Sequence, residues 1–234
     1  MSADPSVVYI VDDDPEVRRA LGRLLRASGF ATRAFGSARE FLGSEEARLS
    51  SAGCIILDLA MPELNGLELQ QCLTAAGCRR PIIFLTGNGD ISKSVRAMKA
   101  GAVNFLTKPV DVGELLGAVE EALRVDAEER AVRDTRHVIS SRLSKLTPRE
   151  RQVFDGVVAG RLNKQIAAQL GIVEKTIKVH RARVMRKMQA GSIVELVHLA
   201  SLVGVDSWPG PSPAGAAQCE HGMTTEPEPE HSRH

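Results

Sequence analysis

Short apolar runs alternate with longer amphipathic stretches through the first 125 residues, and this alternation admits few folds. The apolar runs are V-V-Y-I-V (7–11), A-T-R-A-F (31–35), C-I-I-L (54–57), P-I-I-F-L (81–85) and A-V-N-F-L (102–106). Between and after them lie helical patterns at about 15–28, 38–47, 66–76, 91–100 and 111–124. Strands that recur with a helix after each one form a parallel sheet, because a parallel connection has to cross back over the sheet. The pattern therefore predicts a five-stranded parallel α/β sheet with helices on both faces. Helix starts are marked locally: Asp14 precedes Pro15, Ser37 stands three residues before Glu40, and Asp111 three before Glu114.

Residues 125–142 contain neither Gly nor Pro and balance 4 Lys/Arg against 4 Asp/Glu. They read as a helical linker able to continue the preceding helix. Four short helices are then expected at Thr147–Ala159, Asn163–Leu170, Glu174–Lys187 and Ser192–Val203, with Asn163 and Thr147 as N-caps. Beyond 205 the chain is Pro, Gly, Ser, Glu and His with few large apolar residues, so a disordered tail is expected over 205–234. The expected organisation is thus 1–124, 125–142, 143–204 and 205–234. The formal net charge of +1 conceals a marked asymmetry. Residues 143–204 carry 11 basic side chains against 4 acidic ones, and residues 205–234 carry 1 against 5. A small unit with that positive excess suits a polyanion.

In an open parallel sheet, ligands gather outside the carboxyl ends of the strands. Asp12 and Asp13 close the first expected strand, Asp58 the third, Thr86 the fourth, and Lys108 follows the fifth. Carboxylates crowded at one edge call for a cation, and hard oxygen donors suit Mg²⁺. A divalent ion, an ammonium and a hydroxyl around one carboxylate meet the needs of phosphoryl transfer. Asp58 would attack, Lys108 and the metal would neutralise the phosphoryl oxygens, and Thr86 would bond to the product.

The segments V-D-D-D-P, L-D-L-A-M-P-E-L-N-G-L-E-L, L-T-G and A-M-K-A-G-A-V-N-F-L-T-K-P resemble the receiver domain of two-component response regulators over about residues 6–124. The resemblance implies a doubly wound, flavodoxin-like sheet. It makes Asp58 the phospho-acceptor and places Asp12 and Asp13 in its acid pocket. Mg²⁺ would be held by Asp13, Asp58 and the backbone carbonyl of Ala60. Thr86 and Phe105 would form a switch pair, and the Lys108–Pro109 bond would be cis. Ala60 and Asn88 occupy positions that vary among receivers and influence how long the phosphoryl group lasts.

The basic segment has its own logic. A short helix, a turn at Gly171 and a second helix bearing Lys175, Lys178, His180, Arg181, Arg183, Arg186 and Lys187 describe a helix-turn-helix within a small all-α unit. Ile177, Val184 and Met188 fall on one stripe and should face the core, which leaves Lys178, Val179 and Ala182 on the opposite side. This stretch resembles the LuxR-type helix-turn-helix over about 143–204, and the whole chain resembles regulators of the FixJ/NarL family. By that resemblance Lys178, Val179 and Ala182 face bases, while Thr176, His180, Arg183 and Lys187 contact phosphates. Asn163 and Lys164 lie on the scanning helix, and Ser192–Val203 pairs two copies on double-stranded DNA. The partners implied are a sensor histidine kinase, DNA and a second copy of the chain once phosphorylated. Val173 stands where the family often has a serine cap, at a cost of about 0.5–2 kcal/mol.

Other classes fit less well. Residues 143–204 hold no carboxylate cluster, nucleophile–base pair or Gly-rich phosphate loop, so no enzymatic output is expected. Their only aromatic is Phe154, too few for stacking on unpaired RNA bases. No apolar run of 18 residues and no signal-peptide pattern occurs, so a cytoplasmic protein with no membrane contact is expected. The four cysteines have no metal-ligand spacing.

Overall fold

The computed structural model describes residues 6–48, 51–87 and 102–205. Strands β1 (Val7–Val11), β2 (Ala31–Phe35), β3 (Gly53–Asp58), β4 (Ile82–Thr86) and β5 (Asn104–Thr107) form one sheet in the order β2-β1-β3-β4-β5. Every pairing is parallel, with Val7 opposite Ala31 and Gly53, Ile55 opposite Ile82, and Ile83 opposite Asn104. Helices α1 (Pro15–Ala27), α2 (Ala38–Gly43), α3 (Glu45–Arg48) and α4 (Gly66–Ala75) intervene, and α5 (Val112–Ser144) follows. The helix expected at 91–100, the position Asn88 and the tail from 206 onward lie outside the described residues.

The two-residue period of the strands builds two cores. Tyr9, Val11, Ile55, Leu57 and Phe84 point to one face, where they meet Phe41, Leu69 and Leu73. Val8, Ile10, Ile56, Ile83 and Leu85 point to the other, against Leu21, Leu25, Leu115 and Val119. Strands buried on both faces lose the polar alternation of a half-exposed strand, which is why β3 and β4 read as unbroken apolar runs. Asp14 caps α1 by accepting from the Glu16 amide at 2.7 Å, and Asn65 with Glu68 forms a reciprocal capping box on α4.

Two elements differ from the sequence reading. The helix expected at 38–47 is broken at Ser44, whose hydroxyl donates to the Phe41 carbonyl at 2.6 Å and accepts from the Ala47 amide at 3.3 Å. That local bonding ends one helix and starts the next. Strand β5 begins at Asn104 rather than 102, since Asn104 is the first residue paired with β4. The stretch 125–142 is helical, as expected, and continues the preceding helix without a break, giving the 33-residue α5.

The chain divides into two compact units between Thr135 and Arg136, within α5. In the first unit, α5 contributes Ala118, Val119 and Ala122 to the core, and the carboxylate of Asp126, 3% exposed, accepts from the Gly53 amide at 2.9 Å. In the second, Ile139 and Leu143 join a core made by α6 (Pro148–Val158), α7 (Asn163–Leu170), α8 (Glu174–Met188) and α9 (Ile193–Leu202). Thr147 caps α6 in a capping box with Glu150, and Ser192 caps α9 by accepting from the Glu195 amide. Asn163 is not the cap expected of it. Leu162 holds the cap position of α7, its amide donates to Gln165 Oε1 at 2.8 Å, and Asn163 is the first helical residue. Gly171 closes α7 at φ 65°, a left-handed conformation that a side chain would strain.

Candidate functional site

Strands β1, β3, β4 and β5 end side by side, so the residues at their carboxyl ends converge. Asp12 follows β1, Asp58 ends β3 and Thr86 ends β4, with 1%, 5% and 4% of their surfaces exposed. Asp13 is exposed beside them, and the carboxylates of Asp12, Asp13 and Asp58 offer oxygens within 4.8 Å of one another. Lys108, just past β5, places its Nζ 2.7 Å from Asp12 Oδ2 and 3.2 Å from Asp58 Oδ1. One ammonium thus faces three carboxylates, and two negative charges remain. An all-oxygen donor set with that residual charge fits a divalent hard cation.

Burial pushes the Asp12 carboxyl above its ordinary range, because removing the ion from water outweighs what the Lys108 hydrogen bond and the Asp14 amide return. Burial works against the Lys108 ammonium too, but the bonds to Asp12 and Asp58 prevail and its pKa is raised. Asp12 is also held through its backbone, where Arg18 Nη1 donates to its carbonyl at 2.6 Å. Arg18 is a supporting residue that the sequence reading missed, and its place one turn into α1 was the only available sign.

The loop after β3 is shaped for close approach. A Cβ on Gly66 would stand 2.5 Å from the Asp58 carbonyl oxygen, so only glycine lets α4 begin there. Ala60 is exposed in this loop, two residues past Asp58. On the neighbouring strands Thr86 lies opposite Thr107, and the Lys108 amide donates to the Thr86 carbonyl. Phe105, half-buried, pairs with Phe84 across β4 and β5 with ring centroids 6.5 Å apart. The Lys108–Pro109 bond is cis.

The second unit carries a different surface. Ile177, Val184 and Met188 of α8 are buried in its core. Lys175, Lys178, Val179, Ala182, Arg183 and Arg186 are exposed and line one shallow depression on the opposite side. The separation into an apolar stripe and a basic face is the one that the helical spacing implied. Thr176 and His180 are half-buried, and His180 turns Nδ1 inward, where no partner exists among the described residues. Lys164 is exposed, while Asn163 Oδ1 accepts from Arg181 at 2.9 Å and so ties α7 to α8. Lys187 is engaged within the unit. Its Nζ bonds to Glu150 Oε2 at 2.6 Å and to the Lys145 carbonyl at 3.0 Å. This pairing is the largest cause that draws the Glu150 carboxyl down to about 2, with the Thr147 backbone bond next. Val173 holds the cap position of α8 without a side-chain bond. On α9, Ile193, Val194 and Val197 are exposed, Val194 by 80%. Among the described residues no helix is long and apolar enough to cross a membrane.

Both units have counterparts among known proteins. Residues 8–120 match the response regulator receiver domain, and residues 144–200 match the bacterial regulatory proteins of the luxR family. Response regulator protein TodT of Pseudomonas putida is 45% identical over 199 residues, which cover 85% of this chain and 87% of TodT. The solved structure of response regulator StyR is 44% identical with a TM-score of 0.76, covering 85% of this chain and 99% of that one. Full-length FixJ from B. japonicum is 41% identical with a TM-score of 0.52, covering 85% of this chain and 97% of its own.

Proposed function

The chain belongs to the response regulators that join a receiver domain to a LuxR-family DNA-binding domain, and from that premise we propose that phosphorylation of Asp58 controls its binding to DNA. The observation that carries this reading is the bridge from Lys108 to Asp12 and Asp58 amid three clustered carboxylates.

The donor is a phosphohistidine of a sensor histidine kinase. A carboxylate oxygen of Asp58 attacks the phosphorus, the N–P bond breaks, and its electron pair returns to the imidazole, which takes up a proton. Asp13, Asp58 and the Ala60 carbonyl would hold a Mg²⁺ ion, which would supply positive charge to the phosphoryl oxygens. Asp12 keeps Lys108 in place, and the Lys108 ammonium faces the oxygens as negative charge moves onto Asp58. The Thr86 hydroxyl donates to a phosphoryl oxygen, and Phe105 repacks with it as the switch pair. The receiver assists only its own phosphorylation and dephosphorylation, and the output is not enzymatic.

The product favours a homodimer joined on DNA through Ser192–Val203, whose exposed Ile193, Val194 and Val197 leave apolar surface to cover. Helix α8 enters the major groove, with Lys178, Val179 and Ala182 at base edges. Thr176, His180 and Arg183 contact phosphates, with Asn163 and Lys164 on the preceding helix. Lys187 reaches a phosphate only by leaving Glu150. DNA as the partner puts the working protein in the cytoplasm.

Acetyl phosphate with Mg²⁺ should add one phosphoryl group to the wild type and none to Asp58→Asn, as read by intact-protein mass spectrometry. Equal labelling of the two would overturn the assignment of Asp58.

A further inference from the structure

We propose that the acidic C-terminal segment 206–234 of this chain docks on the exposed face of α8 and competes there with DNA; the competition rests on the DNA-binding reading above, whereas the docking does not. On that face Lys175, Lys178, Arg183 and Arg186 bring four cations to one depression. Among the described residues the single carboxylate paired with any of them is Glu174, 3.8 Å from Lys178. Lys175, Arg183 and Arg186 have no ion-pair partner among the described residues.

The segment has the complementary charge. It carries Asp206, Glu220, Glu226, Glu228 and Glu230 against the single Arg233. Glu226-Pro227-Glu228-Pro229-Glu230 sets three carboxylates at alternate positions. In an extended Pro-rich chain, residues two apart stand about 6 Å apart, so three such carboxylates span about 12 Å. Eight residues of α-helix, the separation of Lys175 from Arg183, span the same ~12 Å. A string of anions with that reach resembles a stretch of phosphate backbone.

Geometry permits the contact within one chain. Helix α9 ends at Leu202, in the same unit as α8, and 29 residues follow Val205. A flexible chain of that length would have a root-mean-square span of roughly 30 Å, about three times the ~10 Å radius of gyration of a unit of about sixty residues. Tethering at that range gives an effective concentration in the millimolar range, enough for a weak polyanion to occupy the face for much of the time. The LuxR-family match ends at residue 200, ahead of this segment.

Two measurements on the full chain test the proposal. Amide NMR spectra of the full chain and of the chain ending at Val205 should differ at Lys175–Arg186, and the difference should fade by about 0.5 M salt. Titration with a random-sequence duplex in low salt should show the shortened chain binding about 3- to 10-fold tighter. The full-length triple variant Glu226→Gln, Glu228→Gln, Glu230→Gln should recover most of that gain.

Absent or displaced amide shifts overturn the docking, and shifts that depend on protein concentration assign the face to the tail of a second copy instead. Shifts at α8 without a gain in affinity overturn the competition. A gain on truncation that the glutamine variant fails to share overturns the electrostatic origin. If α8 shifts but neither chain binds DNA, the DNA-binding reading fails while the docking stands.

Discussion

Replacing Asp13 by alanine should stabilise the metal-free protein while removing much of its response to Mg²⁺. The carboxylates of Asp12, Asp13 and Asp58 lie within 4.8 Å of one another, and Asp13 is the exposed member. For an exposed group the dielectric of water is the fair choice, and two unit charges at 4.8 Å then repel by about 0.9 kcal/mol. Deleting Asp13 removes two such repulsions, or about 2 kcal/mol, which ordinary salt reduces to ~1 kcal/mol. For a unit of this size that is a rise of about 3–5 °C in Tm. The wild type should gain about 2.7 kcal/mol when Mg²⁺ is present at a hundred times its Kd. The variant, short of one ligand, should gain far less at the same concentration. Calorimetric melts of the full-length proteins with and without Mg²⁺ would measure both effects. A lower metal-free Tm in Asp13→Ala, or an unchanged Mg²⁺ response, would refute the picture of a crowded site awaiting a cation.

The DNA-binding unit should lose stability in acid through Glu150. Its folded pKa, near 2, lies below the ordinary 4.5, so its contribution is whole above pH 4.5 and is lost as the pH falls toward 2. Denaturant unfolding of the wild type and Glu150→Gln at pH 6 and pH 3 should show the variant less stable at pH 6 and the gap narrowing at pH 3; a constant gap would argue against the pairing with Lys187. On DNA, Lys178→Ala should cost more affinity on a specific duplex than on a random one, by about 1–3 kcal/mol, whereas Arg183→Ala should weaken both alike. Equal losses for both variants on both duplexes, at matched salt, would contradict the assigned facing of α8.

Much of this was legible because it is periodic. Apolar runs located the strands, and strand ends then determined which side chains meet, since Asp12, Asp58, Thr86 and Lys108 need only the parallel order to converge. The stripe of Ile177, Val184 and Met188 oriented α8 in the same way. What remained hidden depends on contacts distant in sequence or on side-chain choice. Asp126 sat in a stretch of mixed charge that reads as solvated helix, yet it is buried and bonds to Gly53, 73 residues away. Glu150 was visible as a capping acid, but its partner Lys187 lies 37 residues further on. The misplaced cap at Asn163 arose because its side chain takes Arg181 instead of the helix amides, and no local pattern separates the two uses. Ser44 ended a helix for a similar reason, by donating its hydroxyl to the Phe41 carbonyl.

The central claim is that a phosphoryl group on Asp58 raises affinity for DNA. The direct test titrates one operator duplex, selected from a random library with the phosphoprotein, against the unmodified chain, the phosphorylated chain and donor-treated Asp58→Asn at one salt concentration. The phosphorylated chain should bind about 5- to 150-fold tighter than the unmodified one, the range of a coupling of 1–3 kcal/mol, and the variant should match the unmodified chain. Equal affinity of the phosphorylated and unmodified chains, or a gain that Asp58→Asn shares, would contradict the account.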